Sequence, residues 1–405
     1  MATKSYLKML VLAAAVVTPM IQTDAAEAGD RKEAKRHSEH GKARNIIFMV
    51  PDGMGLSNVT AARIFLNGPD GDRLSFEKLP VIGYQSTHAA NSTITDSAAA
   101  ASAWATGEKF FNNVVSCHTE GTVCVDSPKT ILEMAREKGK ATGLVATSTI
   151  THATPAAFGA HVNHRNCEAE IGRQLVQETK VDVLLGGNIG KNSTNTAYNC
   201  AQYPGQDVAA IIAEAKEDGY VHVTTASEMH AVTAADDTVK ILGLFSSGGM
   251  TPEHLRSADS AEPRLPEMTK VALDILEEDK DGFFLMVEGS QIDWASHDND
   301  AAYQLGEMIA FNEAVEEVQA WINAHPARRN NTLLIVAGDH ETGGHAINGP
   351  YGILSNPGDM VDPGWTSTNH TAVDTVVWSQ GPGSANLGRA MDNTDIFKVM
   401  KDIMK

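Results

Sequence analysis

Six short stretches of this chain concentrate residue types that carry hydrolytic or metal chemistry. PDGMG, Pro51 to Gly55, places Asp52 at the end of an apolar run, beside glycines that let the backbone turn sharply. TITDSAAAASAWATG places Asp96 and Ser97 ahead of an alanine-rich helical stretch. A serine there is ordinarily a helix cap, yet the same position faces backbone N–H groups and the positive end of the helix dipole, which suit an anion. THATPAAFGAHVNHR contributes His152, Thr154 and Arg165. The threonine hydroxyl suits a hard cation, and the planar guanidinium fork grips two phosphate oxygens. VEGSQIDWASHDND supplies Glu288, and sets Asp293 four residues before His297, so that on a helix the two share a face and can hold one ion. IVAGDHETGGH brings adjacent Asp339 and His340 to a strand exit, where a buried aspartate is costly unless paired or metal-bound. TSTNH adds His370, completing an Asp, His, His set suited to zinc. Singly, each stretch also reads as a cap, a solvated helix face, a hydrogen-bonded carboxylate or, for Arg165, a surface salt bridge.

What lifts them above that reading is the elements that must position them. Short apolar runs rich in β-branched residues, Asn45 to Val50, Val81 to Ser86, Leu144 to Thr147, Val181 to Leu185, Lys240 to Phe245, Phe283 to Val287, Thr332 to Ala337 and Val373 to Trp378, alternate with helical patterns. The helices include Ile131 to Lys138, Pro266 to Glu278 and roughly Asp300 to Asn323. This alternation predicts an α/β fold, a mainly parallel central sheet with helices on both faces. Asp52, Glu288 and the Asp339–His340 pair each follow a different strand, and ligands in open α/β sheets bind at the carboxyl ends of strands. Three strands thus deliver oxygen and nitrogen ligands to one edge, which a purely structural role would not require.

The 405 residues fit one large domain, with no internal repeat and no linker rich in Pro, Gly or Ser. A formal net charge of −19 argues against a nucleic-acid-binding surface, which needs clustered Lys and Arg. Lys4 and Lys8 ahead of an apolar run to about Met20, then Ala25, Ala26 and Ala28, read as an export signal over residues 1–28. Residues 29–44 are charged and read as a disordered lead-in, and 45–405 as the catalytic domain. No later stretch reaches the roughly 20 apolar residues of a membrane span, so the mature chain is expected without one, in the periplasm or secreted. Cys117, Cys124, Cys167 and Cys200 match no CxxC pattern and suit two disulfides in an exported protein. Of the three pairings four cysteines allow, the sequential one, Cys117 with Cys124 and Cys167 with Cys200, is favoured.

In their order and over the chain from about Asn45 to Lys401, PDGMG, TDSAAAASA, THATPAAF with Arg165, VEGSQIDWASH, AGDHETGGH and TSTNH resemble the alkaline phosphatases. The resemblance implies that family's three-layer sandwich and a broad phosphomonoesterase working through a phosphoserine on Ser97. It implies one zinc on Asp293, His297 and His370, and a second on Asp52, Asp339 and His340. Asp52 would bridge to a magnesium held by Thr154 and Glu288, and Arg165, oriented by Asp96, would bind phosphate. His152 and Trp294 stand where some members carry Asp and Lys and look like animal and several marine bacterial members; an imidazole there could recruit zinc as the third ion. Members are commonly dimers with an inserted crown; only 29 residues separate His340 from His370, so a large insertion there is absent and the chain is expected as a monomer or homodimer. The nearest rivals are a phosphodiesterase or sulfatase on the same sheet. Ser97 in DSAA fits neither the modified cysteine of such sulfatases nor the threonine of the diesterases. A catalytically idle phosphate-binding or metal-storage protein would not need nucleophile, arginine and all ligands together.

Overall fold

A computed structural model describes residues 41–204, 207–232 and 239–405; the expected export signal and residues 29–40 of the lead-in lie outside the described residues. Ten strands form one sheet. In chain order they are β1 (Asn45–Pro51), β2 (Val81–Ser86), β3 (Ala141–Ala146), β4 (Val183–Gly186), β5 (Tyr220–Val223), β6 (Lys240–Leu244), β7 (Phe283–Gly289), β8 (Thr332–Ala337), β9 (Thr375–Gln380) and β10 (Ala390–Asp392). Across the sheet the order is β10-β2-β9-β8-β1-β7-β3-β4-β6-β5. β9 runs antiparallel to β8 and β2, and the other pairings are parallel.

Alternation along β1 explains why the sheet is covered on both faces. Ile46, Phe48 and Val50 enter one apolar cluster, whereas Ile47 and Met49 enter the other. Side chains on a strand point to opposite faces in turn, so a continuous apolar run needs a helical layer on each side. On the first face lie α1 (Ser97–Thr106), α2 (Ile131–Glu137), α3 (Ala153–Gly159) and, at the end of the chain, Thr394–Ile403. Phe48 packs edge-on against Trp104 and Phe158, with ring centroids 4.9 and 5.9 Å apart. Leu56–Asn67, α4 (Leu265–Leu276) and α6 (Ala301–Asn323) cover the second face, and the short α5 (Gln291–His297) precedes α6.

Three expectations are corrected. Ala43 and Arg44, assigned to the lead-in, already belong to the fold: Ala43 is buried, bridges to Met404 and donates its N–H to the Ile403 carbonyl, and the Arg44 N–H bonds the Asn331 carbonyl. The last long strand begins at Thr375 rather than Val373, because Val373 is exposed and the ladder with β2 opens at Thr375 and Gln85. Glu288 lies inside β7, in register with Val50 and Ala146, rather than just beyond the strand. Both disulfides are the sequential ones, Cys117–Cys124 and Cys167–Cys200. Among the described residues no helix is long and apolar enough to cross a membrane.

Candidate active site

Everything chemically active collects at the carboxyl ends of β1, β3, β7 and β8. Asp52 follows β1, where Gly53 takes φ +72 and donates its N–H to Asp339 Oδ1 at 3.0 Å. A Cβ at Gly53 would lie 2.7 Å from the Asp293 Cα, so only glycine lets this turn approach α5 so closely. Asp293 sits one helical turn before His297 on α5, and its Oδ2 is 3.3 Å from His297 Nε2. The spacing seen in the sequence therefore does place both on one face.

Ser97 is the first residue of α1, and it is buried. The cap itself is Asp96, whose carboxylate accepts from the Ala99 N–H at 3.0 Å, so the serine hydroxyl is free of the capping role that its position first suggests. All of α1 is buried, and its run of alanines lets it press closely between the sheet and α3. Trp104 ties the helix down: its indole N–H donates to Gln85, and Gln85 in turn donates to the Gly338 carbonyl, both at 2.9 Å. The turn bearing Asp339 and His340 is thereby anchored to the helix bearing Ser97, and Ser97 Oγ lies 3.3 Å from His340 Nε2.

Three groups of ligand atoms converge: Asp293, His340 and His370; Asp52, Asp339 and His340; and Asp52, His152 and Glu288. Asp52, Asp339, His340 and Glu288 are fully buried. Among the described residues, both Asp52 oxygens, Asp339 Oδ2, Glu288 Oε1, Thr154 Oγ1 and His152 Nδ1 have no hydrogen-bond partner. A buried carboxylate with an unpaired oxygen is costly, and three of them share this space beside Asp293. Burial, and then the charges of Asp339, Asp293 and Glu288, push the Asp52 carboxyl well above its usual range. Burial pushes Glu288 up to about 7. Such a cluster is stabilised by cations.

The imidazoles give the same indication. His297 Nδ1 faces the Thr368 carbonyl at 2.6 Å and His370 Nδ1 the Thr95 carbonyl at 2.8 Å, so each Nδ1 carries its proton. Their Nε2 atoms then point at one another, 3.1 Å apart, beside Asp293. Asp293 pushes His297 up to about 9, so the short contact is met either by a proton on His297 Nε2 or by a cation in its place, and a carbonyl behind each imidazole is the usual support of a metal-binding histidine. Burial, and then the charge of His340, hold His370 down at about 4, so His370 offers a neutral nitrogen.

Arg165 faces this cluster, its Nη1 donating to Asp96 Oδ2 at 2.9 Å. Burial opposes the charge on Asp96, but Arg165 and the Ala99 N–H outweigh it and keep the carboxyl below its ordinary value. Arg165 Nη2 lies 3.1 Å from His152 Nε2, and burial together with Arg165 pushes His152 down to about 3. His152 therefore accepts from the arginine through one nitrogen and presents the other without a partner; its ring also meets Trp294 edge-on, centroids 5.8 Å apart.

Sequence reasoning missed the residues that hold these groups. Thr342 donates to Asp293 Oδ1 at 2.5 Å, Ser290 to Glu288 Oε2 at 2.7 Å, and the Asn112 side chain accepts from the Asp96 N–H at 2.9 Å. Thr342 and Ser290 both lie inside the stretches singled out; Thr342 meets Asp293, 49 residues away, only through the fold, whereas Ser290 stands two residues from Glu288, which was the available signal. Asn112 and Gln85 carried none.

The family model for alkaline phosphatase matches residues 43–362. Alkaline phosphatase 3 of Bacillus subtilis is 31% identical over 98% of this chain and 96% of its own length. The Escherichia coli alkaline phosphatase is 32% identical over 92% of this chain and 88% of its own. Among solved structures, the alkaline phosphatase of the Antarctic bacterium TAB5 superposes with a TM-score of 0.72 at 28% identity, covering 90% of this chain and 98% of that one. The Thermus thermophilus enzyme does so with a TM-score of 0.76 at 26% identity, covering 93% and 94%. A variant of the TAB5 enzyme holds Mg in its M3 site.

Proposed function

Since this chain belongs to the alkaline phosphatase family, it is a metal-dependent phosphomonoesterase, and we propose that Ser97 is its nucleophile, acting through a phosphoserine. What supports this reading above all is a serine hydroxyl at a buried helix start, 3.3 Å from His340, at the edge of a cluster of carboxylates lacking partners. Asp293, His297 and His370 would hold one zinc, Asp52, Asp339 and His340 a second, and Thr154, Glu288 and Asp52 a magnesium. His152 lies within reach of Asp52 and Glu288, so zinc could take the third place too. When bound, these ions supply Lewis acidity: they acidify a hydroxyl or water and neutralise the charge of the phosphate.

The chain's own groups do the rest. Ser97 gives its hydroxyl proton to solvent as Oγ forms a bond to phosphorus and the ester P–O bond breaks, and the electron pair leaves on the alcohol oxygen, which takes a proton from water. Water then forms the new P–O bond, Ser97 Oγ leaves, and the serine regains its proton. Arg165 grips two phosphoryl oxygens with its fork, and Asp96 keeps that fork aimed. Backbone N–H groups at the start of α1 add to this stabilisation, which grows as charge develops in the transition state. His340 Nε2, the nitrogen nearest Ser97, also faces Asp52 and Asp339, so as a ligand of the second zinc it would have no proton to give the serine.

With binding concentrated on the phosphoryl end, many monoesters should turn over. p-Nitrophenyl phosphate is expected to be hydrolysed at least a hundredfold faster than its diester or sulfate counterpart, since a diester removes one oxygen from the Arg165 grip and a sulfate lowers the charge it meets. Equal rates on monoester and diester would overturn the assignment.

The catalytic domain spans residues 45–405 together with Ala43 and Arg44, and the protein works in the periplasm or outside the cell. The two disulfides support an oxidising compartment. Intact mass of protein from the exported fraction should begin between Ala26 and Lys35; retention of Met1 would refute export with cleavage.

A further inference from the structure

The residue before Arg165 has been given no task. His164 stacks face to face on Tyr198, ring centroids 3.7 Å apart and planes 17° from parallel. Both rings are half-buried. The stack is held from behind: Asn163 donates to the Tyr198 carbonyl at 2.8 Å and bonds Tyr203 through its N–H and its side chain, and the Cys167–Cys200 disulfide closes the same two segments. The Asn166 N–H points at His164 Nδ1 at 3.2 Å, so Nδ1 accepts and the ring proton sits on Nε2. Burial, and then the neighbouring Arg165, favour the neutral ring and outweigh Asp96, whose charge favours the protonated one. Neither His164 Nε2 nor the Tyr198 hydroxyl has a protein partner among the described residues.

A rigid, neutral aromatic pair with a free N–H therefore begins one residue before Arg165, close enough for the charges of Arg165 and Asp96 to act on its imidazole. Groups at the phosphoryl end are the same for every monoester, so preference among esters has to come from residues flanking that end. We propose that the His164–Tyr198 pair is the leaving-group subsite, favouring phosphate monoesters whose alcohol carries a flat ring, whether a phenol or a nucleoside. The ring packs against the stack, and His164 Nε2–H donates to an oxygen or nitrogen of the leaving group. This rests on the phosphomonoesterase reading and deepens it.

The test compares phenyl phosphate and a nucleoside 5′-monophosphate with ethyl phosphate, which has no ring, in wild type, Tyr198→Ala, His164→Ala and Tyr198→Phe. Each substrate is followed across the variants, so its intrinsic reactivity cancels. In both alanine variants the ratio of kcat/KM for a ring substrate over ethyl phosphate should fall roughly tenfold, as loss of an aromatic stacking partner does elsewhere. Tyr198→Phe, which keeps the ring and the fold, should retain the wild-type ratio. A fall with only one ring substrate supports the subsite and says which ring it takes. Ratios unchanged for both, or a lost ratio in Tyr198→Phe, would overturn the proposal and leave the pair as packing for the disulfide-closed segment. Failure of the underlying reading looks different, because the wild type itself would then leave ethyl phosphate intact.

Discussion

Ser97→Ala should lower kcat/KM for p-nitrophenyl phosphate on the order of a thousandfold or more and abolish the covalent phosphoenzyme. The path through a serine ester disappears, while Arg165, the α1 amides and the ligand cluster remain to assist direct attack by water, so residual turnover above background is expected. The structure removes the main ambiguity of such an experiment. Capping of α1 belongs to Asp96, and alanine favours the first turn of a helix, so the variant should fold and keep its metal content. Acid quenching with labelled phosphate separates the roles: label should appear on a peptide containing Ser97 in the wild type and be missing in the variant. Label on another residue, or undiminished turnover in a folded, metal-loaded variant, would refute the assignment.

Removal of metal is expected to have a comparable effect through different physics. Exhaustive chelation should reduce turnover below about 1% of its starting value, and zinc with magnesium should restore it, because the charge of four buried carboxylates otherwise goes unmatched. Stability should fall as well. Anything that binds the folded state alone stabilises it by about 2.7 kcal/mol at a hundredfold excess over its dissociation constant. Thermal unfolding of the metal-free protein should therefore begin several degrees lower and recover on titration with zinc. Stoichiometry can be read in the same titration. Full turnover by protein shown free of metal would sink both the ligand assignment and the role proposed for the cluster.

Much of this could be read from the chain alone, for definite reasons. Helical and strand periodicities are local, so β1, β2, β7 and β8, with α4 and α6, could be placed to within a few residues from their apolar patterns. The same holds for Asp293 and His297, whose four-residue spacing has one geometric meaning on a helix. Charged and imidazole residues at strand exits pointed to the edge where the candidate ligand atoms converge. β5 and β10 were not legible: they are edge strands of three or four residues, too short for a strand pattern to stand out, even though Asp218 and Gly219 mark a turn before Tyr220. β9 was placed too early, because Val373 has strand chemistry but no partner in the ladder.

Tertiary structure decided what no local pattern encodes, namely which distant groups share one atom's surroundings. His340 could be assigned to a single set from sequence, yet its ring lies between two, within reach of Asp293 and His370 on one side and Asp52 and Asp339 on the other. Asp96 both caps α1 and clamps Arg165, two tasks set by residues 3 and 69 positions away. The link from Trp104 through Gln85 to Gly338 and the stack of His164 on Tyr198 are likewise products of strand order and disulfide closure. Residue types and short spacings determine what chemistry is available, because they act within a turn or a strand. The fold determines which of those groups meet, because burial forces elements far apart in the chain to satisfy each other's charges and hydrogen bonds.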